Sequence, residues 1–324
     1  MKRIFITGAS GCIGHYITER LIQETNHELF LLVRNPDKLK FDYQARSRIH
    51  ILQGDLQEIE KYRDLLSNQI NIAILIATAW GGAKESYDIN VMKTLALLNM
   101  LNPEICKQVI YFSTASILDR NGQLLPEAEQ YGTDYIRTKY QCFTKLSELE
   151  IAEKIISVFP TLVVGGNENK PVSHLSSGLP EVFRWIDLIR WLKADGSFHF
   201  IHAQDIATIV SYLVANPQVN LSQWQQKKGI KKLVLGNQPT TINEAIAEIC
   251  HYLNKRIYGR IPLSIGLANL LIKVFKIQMD SWSKFSLEYR HFIYQNSVNP
   301  ATFGLENYCS TIPDILKVSD IRAK

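Results

Sequence analysis

Eight residues near the start of the chain restrict its fold more than any other feature. They are Thr7-Gly8-Ala9-Ser10-Gly11-Cys12-Ile13-Gly14, set between an apolar run, Arg3–Thr7, and a helical pattern, Ile13–Glu24. Glycines at these three spacings permit a tight turn, the close approach of a diphosphate, and close packing of helix on strand. A helix that starts there turns its unpaired N–H groups and its positive dipole end toward the phosphates. Gly8, Ser10, Gly11, Cys12, Ile13 and Gly14 are therefore the expected dinucleotide cradle.

The rest of the first half agrees with that start. Short apolar runs at Glu28–Val33, Ile49–Leu52, Ile72–Ala77, Val109–Ser113 and Ile155–Phe159 alternate with helical patterns near Ile59–Leu66, Tyr87–Leu101 and Tyr135–Lys154. Runs that are apolar on both faces, separated by helices, predict a parallel sheet covered on both sides. The fold class expected is α/β, a Rossmann-type doubly wound parallel sheet with a smaller C-terminal substrate lobe. Residues 1–165 form the dinucleotide-binding domain in this reading and 166–324 mainly the substrate lobe, with segments near 198–235 returning to the first. Beyond Pro160 the pattern changes to a Gly-, Asn-, Pro- and Ser-rich loop over 165–180 and then to shorter elements. Ile261–Ile277 is expected as an amphipathic or buried helix, because Lys273 and Lys276 interrupt it and about 20 apolar residues are needed to span a bilayer. Trp80, Trp185 and Trp191 are expected in the core or along an apolar pocket.

Composition narrows the classes. Apolar residues at 46% and charged residues at 21% suit a globular protein and argue against wholesale disorder. The net charge of +5 is spread along the chain, which suits an anionic small molecule and gives no basic patch for nucleic acid. The five cysteines, Cys12, Cys106, Cys142, Cys250 and Cys309, have no metal-ligand spacing, so no metal is expected. Their odd number, and an N-terminus without a signal-peptide pattern, predict reduced thiols and a cytoplasmic location.

Two further segments carry chemistry. Tyr135 and Lys139, four apart, share one face of a helix. A phenol with a pKa of about 10 is a poor proton donor near neutrality, and a neighbouring ammonium makes it a better one. Ser113-Thr114-Ala115-Ser116 closes the fifth strand, and ligands of open parallel sheets sit at the carboxyl ends of strands. Thr114 is the favoured hydroxyl, with Ser113 second and Ser116 third.

Taken together these segments resemble the extended short-chain dehydrogenases/reductases, the group of nucleotide-sugar epimerases and dehydratases, dihydroflavonol-type reductases and 3β-hydroxysteroid dehydrogenases. Thr7 to Gly14 is similar to that group's TGxxGxxG, Tyr135 to Lys139 to its YxxxK, and Gly54-Asp55-Leu56 to its GD(L/V). Asn90-Val91 with Thr94 is similar to its NVxGT helix, and Phe200 to Ala207 to its strand-to-helix segment. The chain departs from the group at Trp80, bulky where a small residue is usual. It departs again at Phe159 to Gly165, which is closer to the dihydroflavonol-type reductases.

The resemblance implies catalysis by Thr114, Tyr135 and Lys139. It implies a cofactor site of the six cradle residues with Arg34, Asp55, Leu56, Ala77, Thr78, Ala79, Asn90, Tyr135, Lys139 and Pro160. His202 and Asp205 are read as structural, Asp205 as a helix N-cap. A homodimer through the helices of 87–101 and 135–154 is also implied. The reaction expected is hydride transfer between nicotinamide C4 and a carbonyl or alcohol carbon of a small-molecule substrate. NADP is the first-choice cofactor, because the second strand ends in Arg34-Asn35 with no carboxylate for a ribose 2′-hydroxyl, and Lys38 lies close behind. NAD is the second choice. An NAD-dependent nucleotide-sugar epimerase or dehydratase is the alternative, and Arg184, Arg190 and Lys193 offer cations to a sugar diphosphate, so charge does not decide between the two. A non-catalytic dinucleotide sensor is the more distant one, and the Tyr/Lys pair argues against it.

Overall fold

The computed structural model describes the chain from Met1 to Ser319, apart from residues 225–228, 275 and 277; residues 320–324 also lie outside the description. In chain order the elements begin β1 (Arg3–Thr7), α1 (Cys12–Glu24), β2 (Glu28–Val33), β3 (Ile49–Gln53), α2 (Arg63–Asn68), β4 (Ile72–Leu75) and α3 (Ala83–Tyr87). A π-helical turn, Asp88–Lys93, joins α3 to α4 (Thr94–Met100). There follow β5 (Gln108–Phe112), α5 (Pro126–Gln130), α6 (Asp134–Lys145), β6 (Ile155–Pro160), β7 (Leu162–Val164), α7 (His174–Arg184) and α8 (Ile186–Ile189). Next are β8 (Leu192–Lys193), β9 (Ser197–Phe198), β10 (Phe200–His202), α9 (Ala203–Ala215), β11 (Lys231–Leu235), β12 (Thr240–Thr241) and α10 (Ile242–Tyr252). The chain closes with β13 (Ile261–Pro262), α11 (Ile265–Val274), α12 (Ser281–Tyr289), β14 (His291–Phe292) and α13 (Ile312–Val318).

Seven of these strands form one parallel sheet in the order β11-β6-β5-β4-β1-β2-β3. The order reverses between β1 and β4, and in a doubly wound sheet the crevice at that switch point takes the ligand. Alternation along the strands builds two cores. Phe5, Phe30, Leu75, Val109 and Tyr111 face one side with Leu97, Leu98, Ile136 and Phe143 of the covering helices. Ile4, Ile6, Leu31, Ile74 and Ile110 face the other with Ile17, Leu21, Ile206, Val210 and Leu213. The expected α/β Rossmann architecture is thus present, and β11 joins the large sheet from the 198–235 region. A third core, including Ile186, Phe200, Ile246, Ile249 and Leu316, lies among the later elements.

Several local expectations need correction. The helix expected over Tyr135–Lys154 stops at Lys145 and continues only as short 3-10 turns. Among the shorter elements expected beyond residue 180, the strand-like run Phe198–His202 is two strands, β9 and β10, in different sheets. Asp205 is not an N-cap: His202 holds that position, accepting from the Gln204 amide. Buried Asp205 instead accepts from the amides of Tyr308 and Cys309 and anchors the chain end on α9. Trp80, Trp185 and Trp191 are exposed rather than in the core. Ile261 and Pro262 are a strand, and α11 begins at Ile265; Phe275 and Ile277 of the expected helix lie outside the described residues. No helix among the described residues is long and apolar enough to cross a membrane.

Candidate active site

The turn after β1 is built by exclusion of side chains. Gly8 has φ +80°, and a Cβ there would lie 2.6 Å from the Ala77 amide nitrogen; a Cβ on Gly14 would lie 2.0 Å from the Gly8 carbonyl oxygen. Those two glycines let β1, α1 and the end of β4 touch. Gly11 is different: its nearest neighbour would be 3.5 Å away and it is exposed, so the space above it is open to a ligand. As the first cap of α1 it supplies no side-chain acceptor, which leaves the helix's leading N–H groups free for an anion. Ser10, Cys12 and Ile13 lie partly exposed around this opening. The residues thus fit a diphosphate.

Behind the turn stands His15, buried and missed by sequence reasoning. Its Nδ1 lies 3.1 Å from the Ala9 carbonyl, and its Nε2 accepts from the Lys40 amide at 2.8 Å, which assigns the proton to Nδ1. Burial pushes its pKa down, consistent with a neutral ring. It ties the phosphate turn to the loop that follows β2.

That loop carries the adenosine-side candidates. Arg34 is 77% exposed at the end of β2, with Nη1 3.8 Å from Asp55 Oδ2. The other Asp55 oxygen accepts from the Gln57 amide and caps a 3-10 turn, while Leu56 is buried beneath. An exposed pair at that distance is weak and leaves Arg34 free to turn toward another anion. Lys38 is exposed nearby in sequence.

After β4, Ala77, Thr78 and Ala79 are held from both sides. The Ala77 amide donates to Thr7 Oγ1. Asn90, buried in the π-helical turn, accepts from Thr78 Oγ1 and the Ala79 amide and donates to the Ala79 carbonyl and Thr138 Oγ1, at 2.8–3.0 Å. Its amide capacity is fully used, so it positions this loop against α6. The partner Thr138 lies inside the Tyr135–Lys139 spacing, a signal that was present in the sequence.

The three catalytic candidates meet at the carboxyl end of β5. Thr114 caps a short turn by accepting from the Ser116 amide and lies 3.3 Å from Ser116 Oγ. Ser113 Oγ is buried without a partner. Burial pushes the Tyr135 phenol up to about 12, and the Thr114 side chain beside it pulls it partly back. Lys139, 3% exposed, donates to the Phe112 carbonyl at 2.7 Å and sits 6.0 Å from the Tyr135 ring centre. Burial brings the Lys139 ammonium down to about 8. The ammonium therefore does not face the phenol alone: its nearest partner is backbone, which no spacing argument could reveal. Trp80 covers the phenol ring, and His174 lies 6.3 Å from the indole. Pro160 closes β6 and is buried. A cavity lined by Leu162, Phe198, Ile242, Leu263, Ala268 and Arg290 lies among the later elements and includes none of the three catalytic candidates. Among the described residues no cluster of His, Cys, Asp and Glu could hold a metal.

The model of the NAD dependent epimerase/dehydratase family matches residues 4–224. Among solved structures, gox2253 superposes with a TM-score of 0.68 at 17% identity over 100% of both chains. The dTDP-glucose 4,6-dehydratase of Bacillus anthracis, in complex with NAD, gives 0.62 at 13% identity over 99% of this chain and 96% of that one. The UDP-glucose-4-epimerase of Stenotrophomonas maltophila, with NAD and formylated UDP-arabinopyranose, gives 0.62 at 15% over 99% and 98%. At these identities the likeness shows the fold. No curated protein sequence matches the chain.

Proposed function

The chain belongs to the NAD dependent epimerase/dehydratase family, NAD(P)-dependent enzymes of the short-chain dehydrogenase/reductase type, and on that premise we propose that it is an NADP(H)-dependent oxidoreductase acting on a carbonyl or alcohol carbon of a small molecule. The observation that carries the choice is Arg34. It stands exposed at the end of β2, where Val33-Arg34-Asn35 offers no carboxylate to a ribose 2′-hydroxyl and a guanidinium to a 2′-phosphate. The dinucleotide would be held by Gly8, Ser10, Gly11, Cys12, Ile13 and Gly14 at its diphosphate, by Arg34, Asp55 and Leu56 at its adenosine, and by Ala77–Ala79, Tyr135, Lys139 and Pro160 toward its nicotinamide, with Asn90 acting through the Thr78–Ala79 backbone it positions. Bound there, it supplies or takes up the hydride.

The chain's own part is proton transfer and orientation. Thr114 and Tyr135 hydrogen-bond the substrate oxygen, and Tyr135 donates its proton as negative charge builds there. Lys139 keeps two of its three N–H donors beyond the bond to Phe112, enough to hold ribose hydroxyls and to stabilise the phenolate. Tyr87 and Met92, exposed beside the π-helical turn, support a homodimer across this side of the sheet.

Nucleotide-sugar epimerisation or dehydration is the second reading, favoured by the activities and bound NAD of two of the three named neighbours. Such an enzyme returns its hydride within one cycle, whereas a reductase changes the cofactor's redox state. Nicotinamide absorbance, followed with carbonyl, alcohol and nucleotide-sugar panels, separates them. Net oxidation of NADPH supports the first reading. Conversion of a nucleotide sugar with no net absorbance change overturns it.

A further inference from the structure

The segment from α7 to β8 carries apolar side chains both in the core and on the surface. Ile186 is buried in the third core, yet Trp185, Leu188 and Trp191 of the same stretch are exposed. Exposed Arg184 and Asp187 stand among them, so this stretch presents apolar and charged side chains to solvent together. The exposed residues continue onto a second segment: Trp191 stacks on Tyr258 at 5.7 Å, and the Ile261 amide donates to the Trp191 carbonyl. Trp185, Leu188, Trp191, Tyr258 and Ile261 are each between 40% and 59% exposed. Scattered exposed apolar residues are ordinary, but a joined group containing two indoles marks a contact surface.

The charges around the group say what contacts it. Arg184 and Arg190 each lie 5.9 Å from the neighbouring indole, Trp185 and Trp191, and Arg190 donates to the Arg256 carbonyl. Over residues 181–193 and 255–262 the cations are Arg184, Arg190, Lys193, Lys255, Arg256 and Arg260, against Glu181 and Asp187 alone. Both carboxylates are already engaged by cations of the same set. A second copy meeting this face through a two-fold axis would set its excess of positive charge, six cations against two carboxylates, against the same excess. Exposed indoles and a phenol, with guanidinium groups beside both indoles and further cations in the same two segments, match instead the interface of a bilayer. There aromatic rings sit among headgroups and basic side chains meet anionic lipid.

We propose that this face of the second half of the chain binds reversibly to the surface of membranes containing anionic lipid, as a peripheral contact without a span. The proposal is independent of the reductase reading, since none of these residues belongs to its catalytic or cofactor set, although Arg184, Arg190 and Lys193 are the cations the nucleotide-sugar reading would use.

Flotation of the full chain with vesicles tests it. Phosphatidylcholine alone should leave the protein unbound, and adding about a third phosphatidylglycerol should float it at low salt and release it as ionic strength rises. Trp185→Ser with Trp191→Ser, and separately Arg184→Glu with Arg256→Glu, should each weaken partition by about tenfold or more. Lys107→Glu with Lys145→Glu, the same charge change in the cofactor domain, should leave it within about twofold. Melting temperature and dinucleotide affinity report whether each variant remains folded, and the charge-reversal pair serves if the tryptophan pair does not. Wild type that stays unbound on anionic vesicles overturns the proposal. So does an equal loss in the Lys107/Lys145 control, which would make binding a matter of overall basicity. A wild-type dimer in light scattering that the tryptophan pair converts to monomer would make the occupant a second copy.

Discussion

The indole of Trp80 lies flat on the ring of Tyr135, with 3.9 Å between ring centres and 14° between planes, while remaining 64% exposed itself. The phenol is thus shielded from water by a side chain that is itself in water. Desolvation is the leading cause of its raised pKa, so Trp80→Ala should bring the phenol down from about 12 toward the ordinary value of about 10. Phenolate absorbance of this variant, against the same variant carrying Tyr135→Phe, isolates the group. An unchanged value would show that the shielding comes from elsewhere.

Tyr135→Phe keeps the ring, its packing under Trp80 and the fold. It should lower kcat by about 10²–10⁴-fold with dinucleotide affinity nearly intact. Retention of more than about a tenth of wild-type kcat would remove Tyr135 from the proton-transfer role.

Arg34→Asp removes a charge-assisted donor worth about 1.5–3 kcal/mol and places a carboxylate where a 2′-phosphate would come. NADP should bind wild type roughly tenfold to a hundredfold more tightly than NAD, and the variant should reverse that order. Calorimetric titration of both dinucleotides into both proteins gives the four constants. Tighter NAD binding by wild type would instead align the chain with its NAD-bound structural neighbours.

Lys139 is buried without a carboxylate partner among the described residues, and this makes a pH prediction. The unfolded chain keeps the proton up to the ordinary lysine value of 10.5, while the folded chain releases it near 8. Between those values the unfolded state binds more protons, so stability rises with pH across the window, and the cost of the buried ammonium is fully present below it. Lys139→Met should be more stable than wild type at pH 7, by on the order of 2 kcal/mol once the lost bond to the Phe112 carbonyl is allowed for. The gap should shrink as pH rises toward 10.5. Denaturant melts of the two proteins at several pH values measure it, and a gap indifferent to pH contradicts the assignment.

Two glycines of the same turn should fail differently. Gly14→Ala forces α1 off the Gly8 carbonyl and should cost about 1–3 kcal/mol in stability together with cofactor affinity. Gly11→Ala has 3.5 Å of clearance and should keep wild-type stability while losing dinucleotide affinity. Thermal melts paired with titrations distinguish packing from ligand approach. Equal stability losses would mean both glycines serve the fold.

What the sequence made legible is local. The turn from Thr7 to Gly14 lies in one continuous segment, its spacing encodes its geometry, and the structure places it at the strand-order reversal. Thr114 and Tyr135 were legible because each sits at a definable end of an element. The Phe112 carbonyl under Lys139 and the indole over Tyr135 were not. One partner comes from β5 and the other from the loop after β4, 27 and 55 positions away in numbering, and pairing of that kind is a property of the packed sheet. The later elements were hardest, because two-residue strands such as β8 and β13 hold no hydrophobic period to detect. The end of α6 was overextended for the opposite reason: Leu146, Leu149 and Ala152 keep a helical spacing after the helix has given way to 3-10 turns.

The imidazole of His15 has a consequence for how a dinucleotide is received. Because one ring bridges the Ala9 carbonyl and the Lys40 amide, the separation between the phosphate turn and the loop beyond β2 is set before any ligand arrives. Ordering a loop residue costs roughly 1–2 kcal/mol in backbone entropy, and folding has already met that cost here. On the proposed function, the spacing from diphosphate to ribose would therefore be fixed by folding, so that the cleft would act as a gauge of length. Once His15 is protonated, its Nε2 turns from acceptor to donor against the Lys40 N–H, and the gauge length is released.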